Sequence, residues 1–169
     1  LPASAANLVI SEIFYNPSGQ LETTEYLELM NIAEEPISLA GVIFTGGITF
    51  AFPADATLAP GERLLLVVDI SAFEAAFGND LPVAGTYTGR LDNGGENLLL
   101  IAADQTPSQS LRYHDRAPWP LPSDGGGYSL TLISPESNPD LGEAASWRAS
   151  VHLGGSPGRS DTLPFTGST

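Results

Sequence analysis

Two glutamates in the first fifth of the chain, Glu12 in "NLVISEIFYN" and Glu28 in "TEYLELMNI", stand inside runs that are otherwise mostly apolar. If the two runs are neighbouring strands, Glu12 and Glu28 can face each other, and such a carboxylate pair can divide the acid and base roles of glycoside hydrolysis. Glu25 is a third candidate acid. A different chemistry is suggested by "GGSPG" at 154–158, which fits Gly-x-Ser-x-Gly around Ser156. In many hydrolases that pattern presents a nucleophilic serine at a strand-to-helix turn, with an Asp and a His further on. Here Pro157 follows the serine directly, no apolar helical pattern comes after it, and both histidines, His114 and His152, lie upstream. The pattern reads as a backbone turn.

Metal chemistry would need convergent oxygens, of which calcium takes about six to eight. Asp92, Asn93, Glu96 and Asn97 form one candidate group, and Asn138, Asp140 and Glu143 another. Neither has the spacing of an EF-hand loop, and Asp, Asn and Gly are also the residues that turns require for their own geometry. No cofactor is expected, with calcium as the one metal these turns could take. Trp119, in "APWPLP", could stack a ligand or cover a sheet edge; edge cover is favoured because unpaired edges invite aggregation. "LPFTG" at 163–167 fits the Leu-Pro-x-Thr-Gly sortase signal through Leu163, Pro164, Thr166 and Gly167, with cleavage after Thr166. The hydrophobic span and basic tail that accompany such a signal do not appear before Thr169.

The whole composition bears on these candidates. Twenty acids face six basic residues, all arginine, for a formal net charge of −14. Such a chain is a poor counterion for phosphate backbones, so nucleic-acid binding is disfavoured; calcium or cationic partners are compatible with it. With no cysteine there are no disulfides and no Cys-based zinc sites. The longest apolar runs, Leu64 to Val68 and Leu98 to Ala103, are strand-sized, far short of the roughly 20 residues of a membrane-spanning helix. The chain opens on Leu1, which suggests a processed or excised piece of a longer protein. "LPASAAN" has an Ala-Ser-Ala pattern like the end of a signal-peptide cleavage region, without the apolar stretch before it.

The elements that must position these residues are short strands. With 18 glycines and 14 prolines the chain suits strands joined by tight turns. "NLVISEIFYN" is apolar on both faces. "TEYLELMNI" puts Leu27 and Leu29 on one face and Tyr26 and Glu28 on the other. Further strands are expected near Val42, over "GITFAFP", from Glu62 to Val68 and over "YSLTLIS" (128–134). "GTYTGRL" and "ENLLLIA" read as a hairpin about the turn "DNGG" (92–95), because Asn-Gly and Gly-Gly supply positive φ. One helix is expected, with Ser71 and Glu74 as a capping box, Phe73 and Phe77 on one face and Gly78 as the C-terminal cap. Trp147 is the apolar anchor of the last third. Turn signals at this spacing indicate a β-sandwich, with Glu25 and Glu28 on the solvent side of a strand.

The chain also resembles the lamin-tail domain in its bacterial form. The resemblance is carried by "LVISEIFYNPSG", then Glu28, Leu29 and Asn31, "ISLAG", Phe52 and Pro53, "TLAPGE" at 57–62 and "LDNGGENLLLIA" at 91–102. It covers roughly residues 8–115, and "DGGGYSLTLI" with "SWRAS…GGSPG" resembles an extension often seen after bacterial copies. The tryptophan that many relatives carry after the "LSG" turn is absent here, where Val42 follows Leu39, Ala40 and Gly41. The resemblance implies an immunoglobulin-like fold and a non-catalytic binding or scaffolding module. It also puts Glu12 and Glu28 on family-typical strand positions, which suggests pairing with an arginine such as Arg112 or Arg148, or hydrogen bonding to turn amides.

The expectation is thus an all-β, immunoglobulin-like sandwich with one short helix and a C-terminal extension. Residues 1–7 are expected to be a flexible segment, 8–160 the sandwich with an elaboration from about 117, and 161–169 a disordered tail. Function is expected to be protein–protein or surface adhesion within a larger secreted or cell-surface bacterial protein, extracellular, with a protein or cell-surface partner. The alternative is a calcium- or carbohydrate-binding module attached to an extracellular enzyme.

Overall fold

Strand β1 (Leu8–Phe14) is buried along its whole length, as its apolar-on-both-faces sequence requires, and in this computed structural model of the protein, which describes residues 1–19 and 22–161, it lies near the centre of a sheet. Next come β2 (Tyr26–Asn31), β3 (Ile37–Ser38), β4 (Ile43–Gly46), β5 (Ile48–Ala51), β6 (Thr57–Leu58) and β7 (Arg63–Val67). Helix α1 (Ile70–Phe77) precedes β8 (Val83–Thr86), β9 (Thr88–Gly89), β10 (Gly95–Ile101) and β11 (Pro107–His114). Two short strands close the chain, β12 (Leu130–Leu132) and β13 (Trp147–Ala149).

These strands form a six-stranded sheet ordered β13-β12-β1-β2-β7-β8, a five-stranded sheet ordered β11-β10-β4-β5-β9, and the small pair β3-β6. All pairings are antiparallel except β7 with β8. Between the two sheets lies one core, with Ile13, Leu27, Leu29 and Leu66 from the first and Phe44, Leu98, Leu100 and Leu111 from the second. This is the expected β-sandwich. The segment after residue 115 is not an appendage, because β12 pairs directly with β1, Glu12 opposite Thr131 and Ile13 opposite Leu130.

The first sheet is also covered on its outer face. Phe14, Tyr26, Leu65 and Val67 point outward into a second apolar cluster with Phe73, against which Phe77, Leu81 and Val83 pack. Phe73 and Phe77 share the helix face expected of them, 4.8 Å apart between ring centroids. The cap differs from the expected one: Asp69, not Ser71, accepts the Ala72 amide at 2.9 Å, and so begins the helix two residues earlier. Gly78 ends it as expected, donating to the Glu74 carbonyl at φ 88°.

Two further expectations change. The "DNGG" turn does not join a hairpin: β9 pairs with β5, and β10 with β4 and β11, so the strands on either side of the turn sit apart in the sheet. The hairpin of this region is β10–β11, closed where the Gln105 amide donates to Ala102 and the Ala102 amide to Thr106, with Gln105 at φ 68°. The N-terminal segment, expected to be flexible, is tied to β3. Its Ala3 amide donates to the Ser38 carbonyl at 3.0 Å, Ser38 donates back to Leu1 at 2.7 Å, and Ala3 is buried. A short stretch with a buried side chain and backbone bonds at both ends has the local anchoring that free termini lack.

Candidate functional site

Glu12 and Glu28 face each other as direct register partners across β1 and β2. The spatial reading of the pair therefore holds. The solvent-side reading does not, since Glu12 and Glu28 are each 1 % exposed and Glu25 is 2 % exposed. They lie on the outer face of the first sheet in a cross-strand row running Arg148, Thr131, Glu12, Glu28, Leu65. One half of that face is apolar and covered by α1. The polar half is covered by residues 154–161, returning from the far end of the chain.

The cover is built from donors. Glu12 Oε1 accepts from Tyr26 Oη at 2.9 Å, Ser129 Oγ at 2.5 Å and the Ser156 amide at 2.8 Å, while its Oε2 accepts from Ser156 Oγ at 3.0 Å. Glu28 Oε1 accepts from Ser11 Oγ at 2.6 Å and lies 3.2 Å from Arg63 Nε; its Oε2 accepts from the Gly158 amide at 2.7 Å. Tyr26 Oη also reaches the Gly154 carbonyl at 2.9 Å. "GGSPG" is thus a turn, as its flanking residues indicate, and its amides are what the two carboxylates bind.

Gly155 explains the glycine pattern. At φ +79°, with a Cβ that would overlap Glu12 Oε1 and Tyr26 Oη, only glycine fits. Burial raises the pKa of both acids. Glu28 is pushed up to about 8, by desolvation first and then by the charge of Glu12. Glu12 is raised by burial against the opposing pull of its hydrogen bonds.

The arginine on Glu28 is Arg63, neither of the two expected. Arg112 is exposed on β11 in the other sheet, and Arg148 pairs with Asp161 and donates to the Asp161 carbonyl at 3.2 Å. Asp161, expected to open a disordered tail, is buried at this contact. Sequence reasoning missed Arg63, Ser11, Ser129 and Tyr26 as partners. Arg63 had one signal, a lone charge at the head of the apolar run "RLLLV". The recess left beside the pair holds about 50 Å³, room for one or two waters and well below the roughly 300 Å³ at which small-molecule sites begin.

Glu25 is separate. It accepts from Tyr87 Oη at 2.8 Å and the Leu91 amide at 3.1 Å, and so anchors the loop before β10. Burial raises its pKa as well. Around it Glu22, Arg90, Asp92 and Asn93 border an open recess.

The oxygen-rich turns are occupied by their own backbone. Asp92 accepts the Gly94 amide at 2.7 Å, Glu96 the Asn97 amide at 3.3 Å, and Asp140 the Gly142 amide at 2.9 Å. Asn138 reaches the Ala5 carbonyl at 3.0 Å, and the Glu143 amide donates to Asp140 at 3.3 Å. Among the described residues no group of three or more His, Asp or Glu is placed to hold a metal ion. Trp119 is buried in the core, its ring centroid 6.2 Å from His114 and 6.4 Å from Trp147, rather than presented as a ligand platform. "LPFTG", with Leu163, Pro164, Thr166 and Gly167, lies outside the described residues.

Fold and site together define an immunoglobulin-like sandwich whose buried acids hold its own chain in place. The family model of the lamin tail domain matches residues 2–115, and the chain belongs to that family. Lamin tail domains are immunoglobulin-like domains that often serve in protein interaction. No curated protein matches the chain. Among the described residues no helix is long and apolar enough to cross a membrane.

Proposed function

We propose that this chain is a non-catalytic binding and scaffolding module of a larger secreted or cell-surface bacterial protein, serving protein–protein or surface adhesion from an extracellular location. The observation that carries this reading is the fate of Glu12 and Glu28. The one pair with hydrolytic geometry spends its acceptors on Tyr26, Ser11, Ser129, Ser156, Gly158 and Arg63, beside a space too small for a sugar ring. What remains for function is the outside of a rigid sandwich with a formal charge of −14, suited to basic or polar protein surfaces and to long-range attraction of such partners.

The test is a pair of measurements on the full chain. Binding to purified extracellular domains of the same cells is read by interferometry at two salt concentrations, and glycosidase and esterase activity is assayed with Glu28→Gln as control. Salt-sensitive binding with no activity supports the module. A hydrolytic activity that Glu28→Gln abolishes while the fold survives overturns it. A thermal melt with and without millimolar calcium addresses the alternative module: a rise of the size that mass action gives a tight ligand of the native state would favour calcium-dependent binding.

A further inference from the structure

Two carboxylates stand opposite each other on the polar half of the first sheet's outer face, both 1 % exposed. One guanidinium, that of Arg63, lies within bonding distance of either, on Glu28. The other ionisable groups around them are committed or peripheral. Tyr26 of β2 donates to Glu12, Arg148 of β13 is engaged by Asp161, and Glu136 and Arg159 line the rim of the small recess. A lone positive charge balances one acid. The second acid is left buried beside a like charge, an arrangement in which a carboxyl keeps its proton well above the usual range.

The cover over this pair is the part of its surroundings least tied to the rest of the fold. Tyr26, Ser11 and Arg63 belong to ladder strands, and Ser129 adjoins β12. Residues 154–158 are in no strand. Of their backbone bonds, Gly155 to His152 and Arg159 to Ser156 stay local, and Gly154 to Gly127, 2.7 Å, reaches outward. The turn is otherwise held through Ser156 and Gly158, whose donors all end on Glu12 and Glu28, and through Tyr26 to Gly154.

We propose that residues 154–158 are a proton-controlled latch, seated while the Glu12–Glu28 pair keeps one shared proton and lifting to admit water when both acids ionise. The geometry sets the direction. The seated state binds a proton that the lifted, hydrated state releases at the ordinary carboxylate pKa, so lifting becomes easier as pH rises from the ordinary value of 4.5 toward the value of about 8 that burial and Glu12 give Glu28. Above that range the seated state has no proton left to lose, and the dependence levels off. The latch does not depend on the adhesive role proposed above.

Hydrogen exchange on the intact chain between pH 5 and 9 tests it, with rates corrected for intrinsic base catalysis. Protection of the Ser156 and Gly158 amides is expected to fall by up to about tenfold per pH unit below pH 8 and then flatten, while Leu98 and Leu100 in β10 keep theirs. In Glu28→Gln, which mimics the protonated acid, the fall should vanish. If that variant does not fold, carboxyl NMR titration of the wild-type protein decides, with one of the pair expected to titrate well above 4.5. Flat protection in the wild type overturns the latch, as does a fall shared with Leu98 and Leu100, an unchanged slope in the variant, or ordinary titration of both acids.

Discussion

Ser156 donates to both oxygens of the Glu12 carboxylate, by its amide to Oε1 and its hydroxyl to Oε2, across 144 residues of chain. This contact joins the first strand of the sandwich to the end of the elaboration, and with it the two ends of the described fold. Ser156→Ala removes the hydroxyl bond and leaves the amide bond. A hydrogen bond to a charged or partly charged acceptor contributes about 1.5–3 kcal/mol, so urea unfolding should show a loss near the lower figure, with unchanged m-value.

Gly155 carries a larger expectation. Gly155→Ala combines positive-φ strain with overlap against Glu12 and Tyr26, and a loss of about 3 kcal/mol or more is expected. Gly61→Ala is the control, since Gly61 has φ +71° but nothing within 4 Å of an added Cβ; it should cost about 1–2 kcal/mol. Equal losses at the two positions would mean that the 154–158 turn is not packed against the carboxylates.

Arg63→Met leaves Glu28 buried without its cation. Removing one partner of a buried pair costs about 3–5 kcal/mol, with the upper end blunted here because the neutral acid can replace the ion pair. The deficit should therefore be larger at pH 8.5 than at pH 5.5, and parallel chemical denaturation at the two values measures it. A deficit independent of pH would show that Glu28 is ionised throughout.

Much of this architecture is legible in the sequence, and the exceptions share a physical cause. The both-sided apolarity of β1, the Leu27/Leu29 face and the Phe73/Phe77 stripe are local patterns, and each reports its own burial. The burial of Glu12, Glu25 and Glu28 is not local. A carboxylate on an alternating strand reads as solvent-facing, and here the cover comes from Ser156 and Gly158 far along the chain, or from Tyr87 and Leu91 for Glu25. The misplaced hairpin has a similar origin. Asn93 and Gly94 mark a turn correctly, but which strands flank it is decided by β10's pairing with β4 and β11. The helix start at Asp69 rather than Ser71 shows two adjacent cap-forming residues competing, with the bond to Ala72 deciding.

That competition gives a direct comparison. Asp69→Ala should cost about 1 kcal/mol through loss of the side-chain cap, whereas Ser71→Ala, inside the helix, should be neutral or slightly stabilising because alanine has the higher helix propensity. The reverse order would restore the capping box at Ser71 and shorten the helix by a turn. Phe73→Ala, fully buried between Tyr26 and Phe77, should cost about 3–5 kcal/mol.

The pH dependence of global stability follows from the same buried acids. Glu12, Glu25 and Glu28 are all raised above their ordinary value in the folded chain, chiefly by burial. A raised carboxylate means that the folded state holds protons the unfolded state has released. Stability is then greatest below about pH 4.5 as far as these groups are concerned, and is lost as pH climbs to about 8, where Glu28 gives up its proton. Each such group can contribute at most about 1.4 kcal/mol per pH unit inside its window. Surface carboxylates of this acidic chain act less strongly, since exposed charges are screened, and their mutual repulsion also grows as they ionise, which pushes in the same direction. The melting temperature at moderate salt should therefore be higher at pH 5.5 than at pH 8.5. In Glu28→Gln the difference should shrink but not disappear, because Glu12 and Glu25 still titrate. A melting temperature that rises with pH across this range would mean that the three buried acids are ionised in the native state, and that the hydrogen-bond donors around them outweigh their burial.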